Sequence, residues 1–170
     1  KAKGVPWPSV DTWYQQELKT SADRIRDYER ATYYAGTWRP EYEKWVDMLA
    51  GLNSGPGHKI VAWNSALIYD MLYTQPVVYE LGNLTMPVLL MVGDKDTTAI
   101  AKNFATPAIR PTLGNYPELG KQAAARIPHA KLVEFPDLGH APQIQDPDAF
   151  HKALLEGLQH PAATGDAPKP

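Results

Sequence analysis

Residues 87 to 93, Pro-Val-Leu-Leu-Met-Val-Gly, form an almost unbroken apolar run that ends in glycine and leads straight into Asp94-Lys95-Asp96. The run is far shorter than the ~18 residues of a membrane span and lacks the spacing of an amphipathic helix. It reads as a strand buried on both faces, the kind that parallel sheets use. Parallel strands need a crossover between them, and the sequence supplies one. A long proline-containing loop over 97 to 116 is followed by a helix over 117–126, a second strand over 131–135 and a turn over 136–139. Asp146-Pro147 then caps a last helix, whose buried face is expected at Phe150, Leu154, Leu155 and Leu158. Strand, helix, strand, helix makes an α/β arrangement with a right-handed crossover.

The residues before this run follow a different period. Thr20-Ser21-Ala22-Asp23 offers a cap for a charged helix reaching about Tyr34. Pro40 can open a second helix, with Glu41 and Glu43 in its first turn and Gly51 as its end. Tyr42, Trp45, Val46 and Leu49 recur in it at i, i+3, i+4 and i+7, giving one apolar face. A third helix over 59–73 stops at Gln75-Pro76. All five tryptophans and eight of the nine tyrosines precede residue 80, whereas the three phenylalanines follow residue 100. That skew separates a helical segment, 1–83, from an α/β segment, 84–159. A Pro-, Ala- and Gly-rich tail, 160–170, is expected to be flexible.

Charge and cysteine exclude several functions. A net charge of −2, with 17 basic and 19 acidic residues well mixed, does not fit a nucleic-acid binder or a membrane-surface protein. The absence of cysteine rules out disulfide scaffolds, thiolate zinc sites and cysteine nucleophiles. The start at Lys1, without Met and in a loop-like Lys-Ala-Lys-Gly-Val-Pro-Trp-Pro stretch, reads as the interior of a longer chain and not as a signal peptide.

In open parallel sheets ligands sit beyond the carboxyl ends of the strands. Asp94-Lys95-Asp96 follows the first strand there, and Gly139-His140-Ala141-Pro142 follows the second. If the strands are neighbours, a carboxylate and an imidazole meet at one edge, the acid fixing the ring tautomer and the histidine acting as base. A competing use of Asp94 and Asp96 is a metal-binding Asp-x-Asp, as in sugar-nucleotide transferases, which leaves the His140 loop without a role. His58, His129, His151 and His160 have no such partner in sequence, and no two histidines stand at metal-ligand spacing.

The run from Met86 to Asp96, followed by Leu132-Val-Glu-Phe-Pro-Asp-Leu-Gly-His140, resembles the carboxyl-terminal part of the α/β-hydrolase superfamily. The match covers roughly residues 84 to 158. Ala141 to Phe150 and the helix beyond are similar to that family's ending. The resemblance implies that Asp96, the second Asp of a Gly-x-x-Asp, is the triad acid and that His140 is its histidine. Residues 5 to 80 are similar in placement to the family's helical cap.

The family's third catalytic member, a nucleophile in a Gly-x-Ser-x-Gly elbow, is not in this sequence. The four serines are Ser9, Ser21, Ser54 and Ser65, and none has glycine two positions before and two after. No Asp has that setting either. The expectation is therefore an α/β-hydrolase fold in carboxyl-terminal portion, its sheet completed by an amino-terminal fragment that carries the nucleophile and the oxyanion hole. The resemblance implies a carboxylic-ester hydrolase working through an acyl-enzyme, without metal or organic cofactor. The alternatives are an epoxide hydrolase with an Asp nucleophile elsewhere, or a hydrolase-like binding protein. The aromatic residues of the cap suit a small apolar or aromatic ester. Most of them are expected to pack cap helices on the core, with Trp38, Trp63 and Tyr69 as candidates for lining a substrate pocket. The absence of Cys and the similarity to bacterial exported hydrolases lean towards a periplasmic or secreted protein.

Overall fold

The hydroxyl of Ser9 accepts the Thr12 N–H at 3.2 Å and starts a helix, α1 (Val10–Glu17), that the apolar spacing alone did not announce. A computed structural model of the chain describes residues 5–162. Within it α1 is followed by α2 (Ala22–Thr32), α3 (Glu43–Ser54) and α4 (His58–Thr74), and then by β1 (Val88–Gly93), α5 (Tyr116–Arg126), β2 (Ala130–Phe135), α6 (Pro142–Gln145) and α7 (Pro147–Gln159). Two compact units share these elements. One is the chain up to Pro76 together with Thr98–Leu113, and the other is Val77–Thr97 with the chain from Gly114 onward. The division thus falls at 76/77, against the 83/84 expected from composition, and residues 98–113 pack with the helices.

In the helical unit Ser21, within the expected capping stretch, accepts the Arg24 N–H to begin α2. Arg26 on α2 donates to Asp23 at 2.6 Å and to both carboxylate oxygens of Glu43 on α3, joining the two helices. Gly51 does not end α3. The helix continues to Ser54 and stops at Gly55-Pro56-Gly57, where proline cannot prolong it. Trp13 of α1, Ala66 of α4 and Ala101 form one buried cluster, with Trp7, Tyr69 and Phe104 packed around it. Ala101 and Phe104 come from the excursion that leaves at Thr97 and returns at Gly114, so the expected loop supplies core to this unit. A second centre is built from Tyr34, Tyr42 and Val46, all essentially inaccessible, with the two tyrosine rings stacked 3.8 Å apart.

The α/β unit holds a two-stranded parallel sheet in register from Val88 opposite Ala130 to Gly93 opposite Phe135. Helix α5 makes the crossover and packs on both strands, and Gly120 lets it settle against Leu132 and Val92. Asp146 caps α7 by accepting the Ala149 N–H at 3.0 Å, with Pro147 at the first helical position as expected. Two expectations are corrected. The β1 residues are half-buried and only Gly93 is buried, because each strand of a two-stranded sheet has one unpaired side. On α7, Phe150 and Leu154 are half-buried, but Leu155 and Leu158 are 58% and 67% exposed. The helix meets the sheet where Gly157 touches Leu89, so the inward stripe is 150, 154 and 157, and Leu155 and Leu158 lie about 100° round the axis from it. Among the described residues no helix is long and apolar enough to cross a membrane.

Candidate active site

Both strands of the parallel sheet deliver a short loop at the same edge. The β1 loop is a tight turn in which the Asp96 N–H donates to the Gly93 carbonyl at 3.1 Å. It is stitched to the β2 loop by two backbone bonds: Asp94 N–H donates to the Phe135 carbonyl at 3.0 Å, and Lys95 N–H to the Leu138 carbonyl at 2.9 Å. Gly93 is required by this closeness. A Cβ there would lie 2.6 Å from the Leu138 carbonyl oxygen, 2.9 Å from the Gly139 carbonyl carbon and closer still to the Gly139 oxygen. These are backbone atoms and cannot swing aside as the end of a flexible side chain can.

The stitched loops bring Asp96 and His140 together. Asp96 Oδ2 lies 2.6 Å from His140 Nδ1, across 44 residues of sequence. The carboxylate is 4% exposed while the imidazole is 40% exposed, so the acid is enclosed and the ring reaches outward. With Nδ1–H donated to the carboxylate, the lone pair of the ring falls on Nε2, the tautomer a general base needs. Asp94 behaves differently. Its Oδ1 is buried and has no hydrogen-bond partner among the described residues, and it does not share the imidazole. An Asp-x-Asp metal pair would need both carboxylates, and that of Asp96 is held by His140.

The three aromatic candidates lie in the helical unit, each among other rings. Trp38 meets Tyr34 and Tyr42 edge-on and carries the Arg30 guanidinium 5.7 Å above its ring. Trp63, 41% exposed on α4, makes an edge contact with Tyr14. Tyr69 packs on Trp13, with the Glu17 carboxylate nearby. Burial first and the Glu17 charge second push its phenol up to about 12. These placements show aromatic packing for all three.

Two neighbours of His140 were not anticipated. Tyr116, the first residue of α5, stands edge-on to the imidazole with ring centres 6.4 Å apart. Its one sequence signal is that it is the only tyrosine after residue 80. Gln145, at the end of α6, accepts the Gly139 N–H at 2.7 Å. An acceptor aimed at backbone has no spacing signature, so nothing in the sequence marks it.

No family model and no curated protein matches the chain. Solved structures do. A probable hydrolytic enzyme from Pseudomonas aeruginosa PAO1 is similar at 64% identity and a TM-score of 0.90, the alignment covering 92% of this chain and 50% of that one. A protein described as an N-acyl homoserine lactone degrading enzyme is similar at 20% identity and a TM-score of 0.54, covering 92% of this chain and 52% of that one, a likeness of fold alone. The chain spans about half the length of each. Both likenesses are consistent with the α/β-hydrolase-type fold that the Asp96 and His140 motifs resemble.

Proposed function

We propose that this chain is the carboxyl-terminal part of a serine-type ester hydrolase, in which Asp96 and His140 are the acid and the base and the nucleophile lies outside these 170 residues. The observation that carries the reading is the 2.6 Å contact between the enclosed Asp96 carboxylate and Nδ1 of the outward-facing His140. Its support from relatives is the 64% identity to a probable hydrolytic enzyme twice as long as the region matched.

In this mechanism His140 Nε2 takes the proton of the serine hydroxyl as the oxygen attacks the ester carbonyl carbon. The tetrahedral intermediate collapses, the C–O bond to the alcohol breaks, and the imidazolium gives its proton to the departing alkoxide. Water then attacks the acyl-enzyme, with the same nitrogen taking its proton, and the carboxylic acid leaves as the serine is reprotonated. Asp96 holds the tautomer and stabilises the imidazolium in both halves of the cycle. The amino-terminal part would supply the remaining strands, the oxyanion hole and the serine, and the helical unit would act as the cap over a small apolar or aromatic ester.

Treatment of the complete protein with a fluorophosphonate probe, followed by peptide mass spectrometry, tests this. The expected result is one labelled serine outside residues 1–170, with labelling abolished in His140→Ala. Absence of labelling in the wild-type protein overturns the serine reading, and epoxide turnover in its place would point to an Asp nucleophile.

A further inference from the structure

We infer that Gln145 is a positioning residue for His140, acting through the backbone of Gly139; its bearing on turnover rests on the hydrolase reading above. The loop that carries His140 is fixed on the two residues before it by different means. Leu138 is held from the β1 side, where its carbonyl accepts the Lys95 N–H at 2.9 Å. Gly139 is held from the other side, where its N–H donates to Gln145 Oε1 at 2.7 Å. The carbonyls of Leu138 and Gly139 are also pressed against Gly93, so the peptide joining them has no room to recede towards β1. The imidazole is then tied by its own Nδ1 to Asp96.

Gln145 reaches Gly139 because the chain folds back at once. After His140, the Ala141 carbonyl accepts the N–H groups of both Ile144 and Gln145 at 3.0 Å, making the single turn α6. That turn returns the side chain of residue 145 to the residue just before the histidine. A backbone N–H is an obligatory donor, so the side-chain oxygen, and not the amide nitrogen, must face it. The Gly139 peptide is buried, and an N–H buried without an acceptor is costly enough for the loop to rearrange in order to find one. Without Gln145 the Gly139 N–H loses its acceptor while the Leu138 carbonyl of the same peptide stays tied to Lys95, so the loop rearranges about Gly139 and His140, the next residue, loses its fixed approach to Asp96. The group the clamp requires is an acceptor oxygen at this reach, which glutamate also has and methionine lacks.

The test compares Gln145→Met, close in length but without the oxygen, and Gln145→Glu, which keeps it, in the complete protein. Hydrogen exchange of the peptide containing Gly139 and the downfield proton resonance of the His140 Nδ1–H report on the clamp whether or not the protein is a hydrolase. In Gln145→Met the Gly139 amide is expected to exchange at least about tenfold faster and the Nδ1–H resonance to broaden or vanish, while Gln145→Glu retains both. Turnover of a p-nitrophenyl ester adds the functional readout: kcat falls about tenfold or more in Gln145→Met with KM little changed, and Gln145→Glu recovers it. Retention of Gly139 protection and the Nδ1–H signal in Gln145→Met overturns the clamp. Loss of both with unchanged kcat overturns its role in positioning. A wild-type protein without turnover defeats the hydrolase reading, while the exchange and resonance arms still decide the clamp.

Discussion

Gly93→Ala is the substitution whose effect can be worked out most fully from the geometry. The added methyl would stand 2.6 Å from the Leu138 oxygen, where an ordinary C···O approach is roughly 3.3 Å, so the His140 loop must retreat by about 1 Å. It cannot retreat freely, because the Lys95 N–H to Leu138 carbonyl bond at 2.9 Å ties it to the strand end that is pushing it away. Forcing a methyl into such a contact costs about 1–3 kcal/mol, a fall in Tm of roughly 5 °C for a domain of this size. The catalytic cost is separate. A shift of about 1 Å between Asp96 and His140, now 2.6 Å apart, lowers kcat by roughly 100-fold. Calorimetry gives the first quantity and ester turnover by the complete protein gives the second. Gly120→Ala is the matched control. Its methyl would meet only the ends of Leu132 and Val92 at 3.3 and 3.5 Å, and it gains about 1 kcal/mol of helix propensity. It should leave both Tm and kcat near wild type. Wild-type stability and turnover in Gly93→Ala would refute the argument that the backbone of the two loops is in unyielding contact.

Asp96→Asn keeps the size of the side chain but favours the wrong imidazole tautomer, and it should lower kcat by about 10³–10⁴-fold with Tm little changed. Normal ester turnover by that variant removes Asp96 from the mechanism. Glu29, buried on α2, gives a pH test of the helical unit. Burial raises its carboxyl above the usual range, against the pull of the Tyr34 hydroxyl 3.5 Å away. The folded state therefore keeps this proton to higher pH than the unfolded chain does, and stability falls as pH rises from the ordinary carboxylate pKa through the raised one. Glu29→Gln removes that dependence, so its Tm advantage over wild type should widen as pH rises from the ordinary carboxylate pKa through the raised one, and a difference that stays constant as pH rises contradicts the assignment.

The two strands and the meeting of Asp96 with His140 were legible because they obey local rules. An apolar run closed by Gly93 and a second strand closed by a turn define two parallel strands, and parallel strands put both following loops at one edge. The sequence could not choose between Asp94 and Asp96 except by resemblance. The fold separates them, since the turn that returns the Asp96 N–H to Gly93 aims its carboxylate at the imidazole. Gly51 misled as a helix stop because a glycine without left-handed backbone interrupts nothing, whereas Pro56 does. Leu155 and Leu158 misled because apolar spacing cannot tell which stripe meets the sheet, and that was fixed by the absence of a side chain at Gly157. Tyr116, Gln145 and the core contribution of Ala101 and Phe104 depend on long-range or backbone contacts that leave no local pattern.

The pairing of Val88 with Ala130 through Gly93 with Phe135 also works as an alignment gauge. Asp96 stands three residues past the last rung and His140 five, and their contact tolerates only tenths of an ångström. A slip of two positions, the smallest that keeps the same side chains facing α5, would move one loop along the other by about 6.6 Å. On the proposed hydrolase reading every misregistered form would be inert and not merely weakened, and turnover by the complete protein would count correctly laddered molecules.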